Sequence, residues 1–155
     1  RRYALPVEWV RYGLKTDEAK CIMNKVWTDW HVAFHGTPKE VVPLIFRAGL
    51  VLLKPGDHTI SGDQLGIRGG HIKKAFKRYN QYTKQKETFD PNQIYVSPSI
   101  KYSGHGVYAK AFYCSHPEDR NRTIKVQFAF QLRIRPGSYQ IGQETVGAAQ
   151  HGKKL

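Results

Sequence analysis

A chain of 155 residues fits one domain and can bury a core without disulfide staples. With 40% hydrophobic and 12% aromatic residues it does not have the composition of a disordered chain, and no apolar run approaches the roughly 20 residues of a membrane span. The net charge of +13 favours phosphate-bearing partners: nucleic acid, a dinucleotide or an anionic membrane surface.

Residues 1–30 read as an N-terminal extension that begins at an excised start, with no signal segment. Residues 7–14 alternate loosely and suggest a strand; residues 17–26 suggest a short helix or a loop. Trp9, Trp27 and Trp30 have the size of packing anchors. Residues 31–37 form an apolar strand that ends His35-Gly36-Thr37. Thr37 and Glu40 have capping-box spacing around Pro38, and Val41, Val42, Leu44, Ile45 and Ala48 share a helical face that Gly49 closes. Pro43 should kink that helix or delay its start. Residues 50–53 are a short buried apolar run.

Residues 54–92 form a long basic loop or insertion, opened by a turn at Lys54-Pro55-Gly56-Asp57. Within it, Lys73, Lys74, Lys77 and Arg78 mingle with Phe76, Tyr79 and Tyr82, on a short helix or an extended arm. This is either a solvated insertion or a holder of single-stranded nucleic acid. Asp90-Pro91-Asn92 makes a turn, and residues 94–96 a short strand ending at Ser97-Pro98-Ser99. Val107-Tyr108-Ala109 is read as a helix start and residues 117–122 as a polar loop. Residues 123–135 form the clearest strand: Ile124, Val126, Phe128, Phe130, Leu132 and Ile134 alternate with polar residues. Residues 138–141 suggest one more strand, and 147–155 a loose tail. The fold class is α+β, rich in strands.

Cys21 and Cys114 lie outside any CxxC pair, which argues against a cysteine zinc site. They suit free thiols in a reducing compartment, cytoplasmic or nuclear, with a single long-range disulfide as the alternative. There is no Gly-x-Ser-x-Gly elbow for a hydrolase, and no helical histidine pair for a metal; His31 and His35 are four apart but on a strand. A nucleotide pocket remains. A neutral His35 offers one donor and one acceptor to a ribose hydroxyl. Gly36 lets a flat amide approach the backbone, Ser97 or Ser99 can bond the same amide, and a tyrosine can stack on an aromatic ring.

The runs Phe34-His35-Gly36-Thr37, Ile94-Tyr95-Val96-Ser97 and Tyr108-Ala109, with a helix ending at Gly49-Leu50 between the first two, resemble the ADP-ribosyltransferase fold. The branch is the diphtheria-toxin-like and poly(ADP-ribose) polymerase-like one, and the resemblance covers about residues 31–140. It implies a split antiparallel β-sheet with few short helices and long loops. It also implies NAD bound as substrate in the cleft, and ADP-ribose transfer, of the mono type, to a protein or nucleic-acid acceptor. By the same resemblance His35 binds the adenine-side ribose and the Gly36 backbone holds the nicotinamide amide. Thr37 and Tyr95 complete the two strand motifs. Ser97 or Ser99 is the amide-binding serine, and Tyr108 stacks on nicotinamide, with Tyr102 the competing choice.

The chain departs from the pattern in three places. Gln93 stands where the family has a glycine, and the 55–92 loop is long and basic. The third is the catalytic glutamate, whose carboxylate stabilises the oxocarbenium-like ribose. Glu144 is the only acidic residue after Asp119. Either Glu144 fills the role, or the last strands lie beyond this chain, or the domain has no such glutamate. Two other functions stay open. The RNA 2'-phosphotransferases pair a His-Gly-Thr strand with basic residues, and Arg68-Gly69-Gly70-His71-Ile72 resembles theirs. A non-catalytic module would instead bind protein or nucleic acid through residues 68–86.

Overall fold

The computed structural model describes residues 7–49, 52–58, 62, 64, 76–80, 84–90 and 92–142. Short helices and antiparallel strands make an α+β architecture. The chain divides into two compact units, one drawn from Arg1–Leu44 and Tyr95–Tyr139, the other from Ile45–Ile94 and Gln140–Leu155.

The first unit opens irregularly. Residues 9–14 form no strand; Val10 is 78% and Tyr12 82% exposed, so their loose alternation faces no sheet. Helix α1 (Glu18–Met23) starts where the Asp17 carboxylate accepts the Lys20 N–H at 3.0 Å, an ordinary N-cap. Lys25, at a left-handed φ of 52°, turns the chain into α2 (Val26–Asp29). Of the three tryptophans, Trp27 lies at the surface with the Arg133 guanidinium 5.6 Å from its ring. Strand β1 (His31–Thr37) then runs into the interior, where Ala33, Phe34 and Thr37 are buried.

Thr37 belongs to this strand and caps nothing, contrary to the capping-box reading. The chain leaves β1 through Pro38 into a single 3-10 turn (Lys39–Val41), and α3 (Val42–Arg47) begins only after it. Pro43 accounts for the delay: at the second position of α3 its missing N–H is one that the first helical turn leaves unpaired. Gly49, at φ 72°, ends the segment as expected.

In the second unit Ile45 and Ala48 are buried. Residues 54–57 form the expected turn, closed by the Lys54 amide on the Asp57 carboxylate at 2.9 Å. Of the basic segment, residues 76–80 are described, and they are extended rather than helical. Strand β2 (Phe76–Asn80) pairs antiparallel with β3 (Gln85–Phe89), with Tyr79 opposite Lys86. Asp90 ends the ribbon in an Asx turn, accepting from the Asn92 amide and from the Gln93 side chain. Those bonds hold its carboxyl below the ordinary range. The turn therefore contributes stability above the usual carboxylate pKa, which is lost as pH falls through the lowered folded value.

Residues 94–96 form no strand; the backbone pairing with β1 is one bridge, Ser97 to Phe34. Helix α4 (Ile100–Ser103) follows, so the helix lies before Val107-Tyr108-Ala109, which is a turn. The long alternating stretch divides at Gln127. Strand β4 (Phe112–Ser115) pairs with β5 (Thr123–Val126), while β6 (Phe128–Ile134) pairs with β1. Residues 138–141 are not a strand; Gly137, at φ 79°, makes a turn that ends the sheet. Among the described residues no helix is long and apolar enough to cross a membrane.

Candidate functional site at the edge of strand β1

Strand β1 has two edges. One faces β6, with His35 opposite Phe130 and Gly36 opposite Ala129. The other meets Ser97: the Phe34 N–H donates to the Ser97 carbonyl at 2.7 Å and the Ser97 N–H to the Phe34 carbonyl at 3.0 Å. In an antiparallel strand every second residue directs its N–H and C=O to the same edge. Gly36 therefore turns its amide pair to the Ser97 edge, one step past the bridge.

Side chains alternate between faces. His35 and Thr37 share one face; Phe34 and Gly36 share the other, against α4 and Tyr108. The His35 Nδ1 donates to the Tyr95 carbonyl at 2.9 Å. Because a carbonyl only accepts, this contact places the proton on Nδ1, and in the neutral ring Nε2 carries the lone pair. Such an Nε2 accepts from a hydroxyl.

The glycine is also a packing requirement. A Cβ on Gly36 would overlap the Ser103 carbonyl oxygen and sit 3.1 Å from the Tyr108 Cβ. Ser103, not singled out by the sequence, is buried and bonds the Phe34 carbonyl through its hydroxyl at 2.9 Å. It locks α4 to β1 at the position where a side chain is missing. A glycine within a strand is the available signal for such an approach.

The two candidate serines both serve the turn into α4. Ser97, buried, accepts the Ser99 N–H on its hydroxyl at 3.1 Å; Ser99 accepts the Tyr102 N–H at 3.3 Å as the N-cap of α4. A bound hydroxyl can still use its own proton, so each keeps a donor to offer. Tyr102 and Tyr108 are not alternatives in space. Their hydroxyls lie 3.0 Å apart and their rings 5.5 Å centroid to centroid, tilted by 41°. They form one half-buried aromatic unit. The exposed Tyr95 contributes its carbonyl to His35.

Gln127 supports this unit from the break between β5 and β6. Its Nε2 donates to the Gly104 carbonyl at 2.8 Å and the Ala109 carbonyl at 2.6 Å, tying both ends of the loop that carries Tyr108. The only sequence signal was an uncharged polar residue inside the alternation.

Thr37 is 1% exposed, and its hydroxyl has no hydrogen-bond partner. A buried unpaired hydroxyl costs about 1–3 kcal/mol. Thr37→Val removes it at nearly constant shape and is expected to leave stability unchanged or raise it by about 1 kcal/mol, read from the chemical-denaturation midpoint. A loss of stability would show that the hydroxyl has a partner in solution.

Thus His35, Gly36, Thr37, Tyr95, Ser97, Ser99, Tyr102 and Tyr108 come from three separated stretches and all lie in the first unit. Glu144, like Arg68 to Ile72, falls outside the described residues. Among the described residues no group of three His, Cys, Asp or Glu could hold a metal, and Cys21 and Cys114 are free thiols. No protein-family model matches the chain, and no solved structure matches it significantly.

Proposed function

We propose that the first unit binds NAD in the manner of an ADP-ribosyltransferase, with the β1–β6 and β4–β5 ladders as the two halves of a split sheet. The observation that carries this reading is the direction of the Gly36 N–H and C=O, toward the Ser97 edge of β1 one step past the bridge. A backbone N–H and C=O directed to one edge are complementary to a primary carboxamide, which has the same two functions in reverse. Few biological ligands carry a carboxamide on an aromatic ring beside a ribose. The Tyr102–Tyr108 pair supplies a stacking surface near that edge, and the His35 Nε2 an acceptor for a ribose hydroxyl on the other face. A dinucleotide lying along the edge would touch both.

The chemistry that goes with such a pocket breaks the bond between nicotinamide and ribose. ADP-ribose passes to an acceptor nucleophile, which gives up its proton, and nicotinamide leaves. A carboxylate beside the ribose lowers the barrier to that step; Glu144 would have this role. The binding half of the proposal stands without it.

Calorimetric titration with NAD and, separately, with nicotinamide tests the assignment. Both are expected to bind. His35→Ala should weaken NAD roughly five- to tenfold, the worth of one hydrogen bond, and leave nicotinamide unchanged because its anchor is Gly36. Absence of NAD binding, or NAD binding indifferent to His35, would sink the proposal.

A further inference from the structure

The β2–β3 ribbon lies in the second unit and plays no part in the NAD reading. We infer that its solvent face is a docking surface for single-stranded nucleic acid. In an antiparallel ribbon, directly opposed residues share a face, and so do residues two apart on a strand. Lys77 pairs with Thr88 and Tyr79 with Lys86. These four side chains therefore stand together on one face, and all four are exposed. Tyr79 is 52% exposed. Among the described residues of the ribbon this face holds two ammonium groups, one phenol and one hydroxyl, and no carboxylate. Lys84, at φ 56° beside the start of β3, is exposed too and adds a third cation. Glu87, the acidic residue of β3, lies on the opposite face and is half-buried.

Neither charge nor aromatic ring alone selects a ligand; the spacing of the two does. Tyr79 lies directly across from Lys86 and two residues from Lys77, so two lysines flank a half-exposed ring, at backbone spacings of about 5–7 Å. Single-stranded nucleic acid repeats an anion and a flat base in alternation, and proteins hold it by phosphate pairing and by base stacking on aromatic rings. A folded duplex hides its bases from such a ring, and a lipid headgroup has none. A net charge of +13 supplies the attraction at longer range.

Fluorescence anisotropy with a short unstructured RNA, the same RNA as a duplex, and phosphatidylserine vesicles tests this on the full chain. The single strand should bind more tightly than the duplex, with affinity falling steeply between about 50 and 200 mM salt. Replacing Lys77, Lys84 and Lys86 together by Ala should reduce the slope of log affinity against log salt by about 2, at roughly 0.7 per phosphate contact. Tyr79→Ala should weaken binding by about tenfold at an unchanged slope, and Tyr79→Phe should retain it. Far-ultraviolet circular dichroism, expected to be unchanged because all four positions face solvent, confirms that each variant folds. Three outcomes would overturn the assignment: equal affinity for the duplex, lysine-dependent binding of vesicles but not RNA, or single-strand binding indifferent to Tyr79.

Discussion

Gly36→Ala is expected to destabilise the protein by about 3 kcal/mol or more, lowering the melting temperature by roughly 10 °C. The added methyl would occupy the space of the Ser103 carbonyl oxygen and press on the Tyr108 Cβ. Neither can give way cheaply. The carbonyl belongs to the backbone of α4, and α4 is held to β1 by the Ser103 hydroxyl on the Phe34 carbonyl and by the Ser97 bridge. Relief requires lifting the helix off the strand, which would expose Phe34 and Ile100, both buried. Gly106→Ala is the matched control: nothing lies within 4 Å of its Cβ. There the expected change is within about 0.5 kcal/mol, or a small gain from a stiffer unfolded chain. Equal behaviour of the two variants would mean that α4 does not pack on β1 as described. The same clash would also disturb the proposed NAD pocket. Gly36 is thus unsuited to testing the proposed NAD site, and His35→Ala, which leaves this contact alone, is the better probe.

Gly36 also shows how far the sequence could be read. Its position at the end of an apolar strand after His35 was legible from pattern, as were β1, the Gly49 stop and the Asp90 turn. The reason a Cβ is excluded was not, because Ser103 lies far along the chain and nothing local connects them. The same limit divided the long strand. Period-two alternation from Ile124 to Ile134 says that one face is apolar; it does not say that pairing changes partner at Gln127, from β4 to β1. The basic segment was harder still. Its aromatics and lysines fit a helix or an arm equally, and only the pairing of β2 with β3 puts Lys77 and Tyr79 on one face with Lys86. For the serines, both hydroxyls were open to a ligand role on sequence grounds, while their bonds to Ser99 and Tyr102 amides first of all shape the entry to α4.

The largest electrostatic effect is expected at Gln127. Two carbonyl oxygens, of Gly104 and Ala109, converge on one side-chain nitrogen at 2.8 and 2.6 Å. Gln127→Glu keeps the shape and replaces the donor by an anion facing two partial negative charges. At pH 7 the expected loss is about 3 kcal/mol, moderated from the value for a fully buried charge because the site is half-buried. Its sign with pH follows from linkage. The carbonyls disfavour the charged form, so the new carboxyl has a folded pKa above its unfolded value near 4.3. Below that unfolded pKa the protonated acid donates to one carbonyl, and the deficit against wild type is smallest. As pH rises through the folded pKa this contribution is lost, so the deficit grows between about pH 4 and 7. Gln127→Met provides the uncharged reference, losing about 1–2 kcal/mol without a pH trend of its own. The quantity to follow is the difference between the two variants across that range, from which the protein's other titrations cancel. A flat difference would refute the two-carbonyl contact. Because the loop tied down by Gln127 carries Tyr108, both variants should weaken NAD binding as well, even though Gln127 lies outside the proposed pocket. That loss would follow from misplacement of the ring, so Gln127→Glu should regain NAD affinity at the same low pH at which it regains stability.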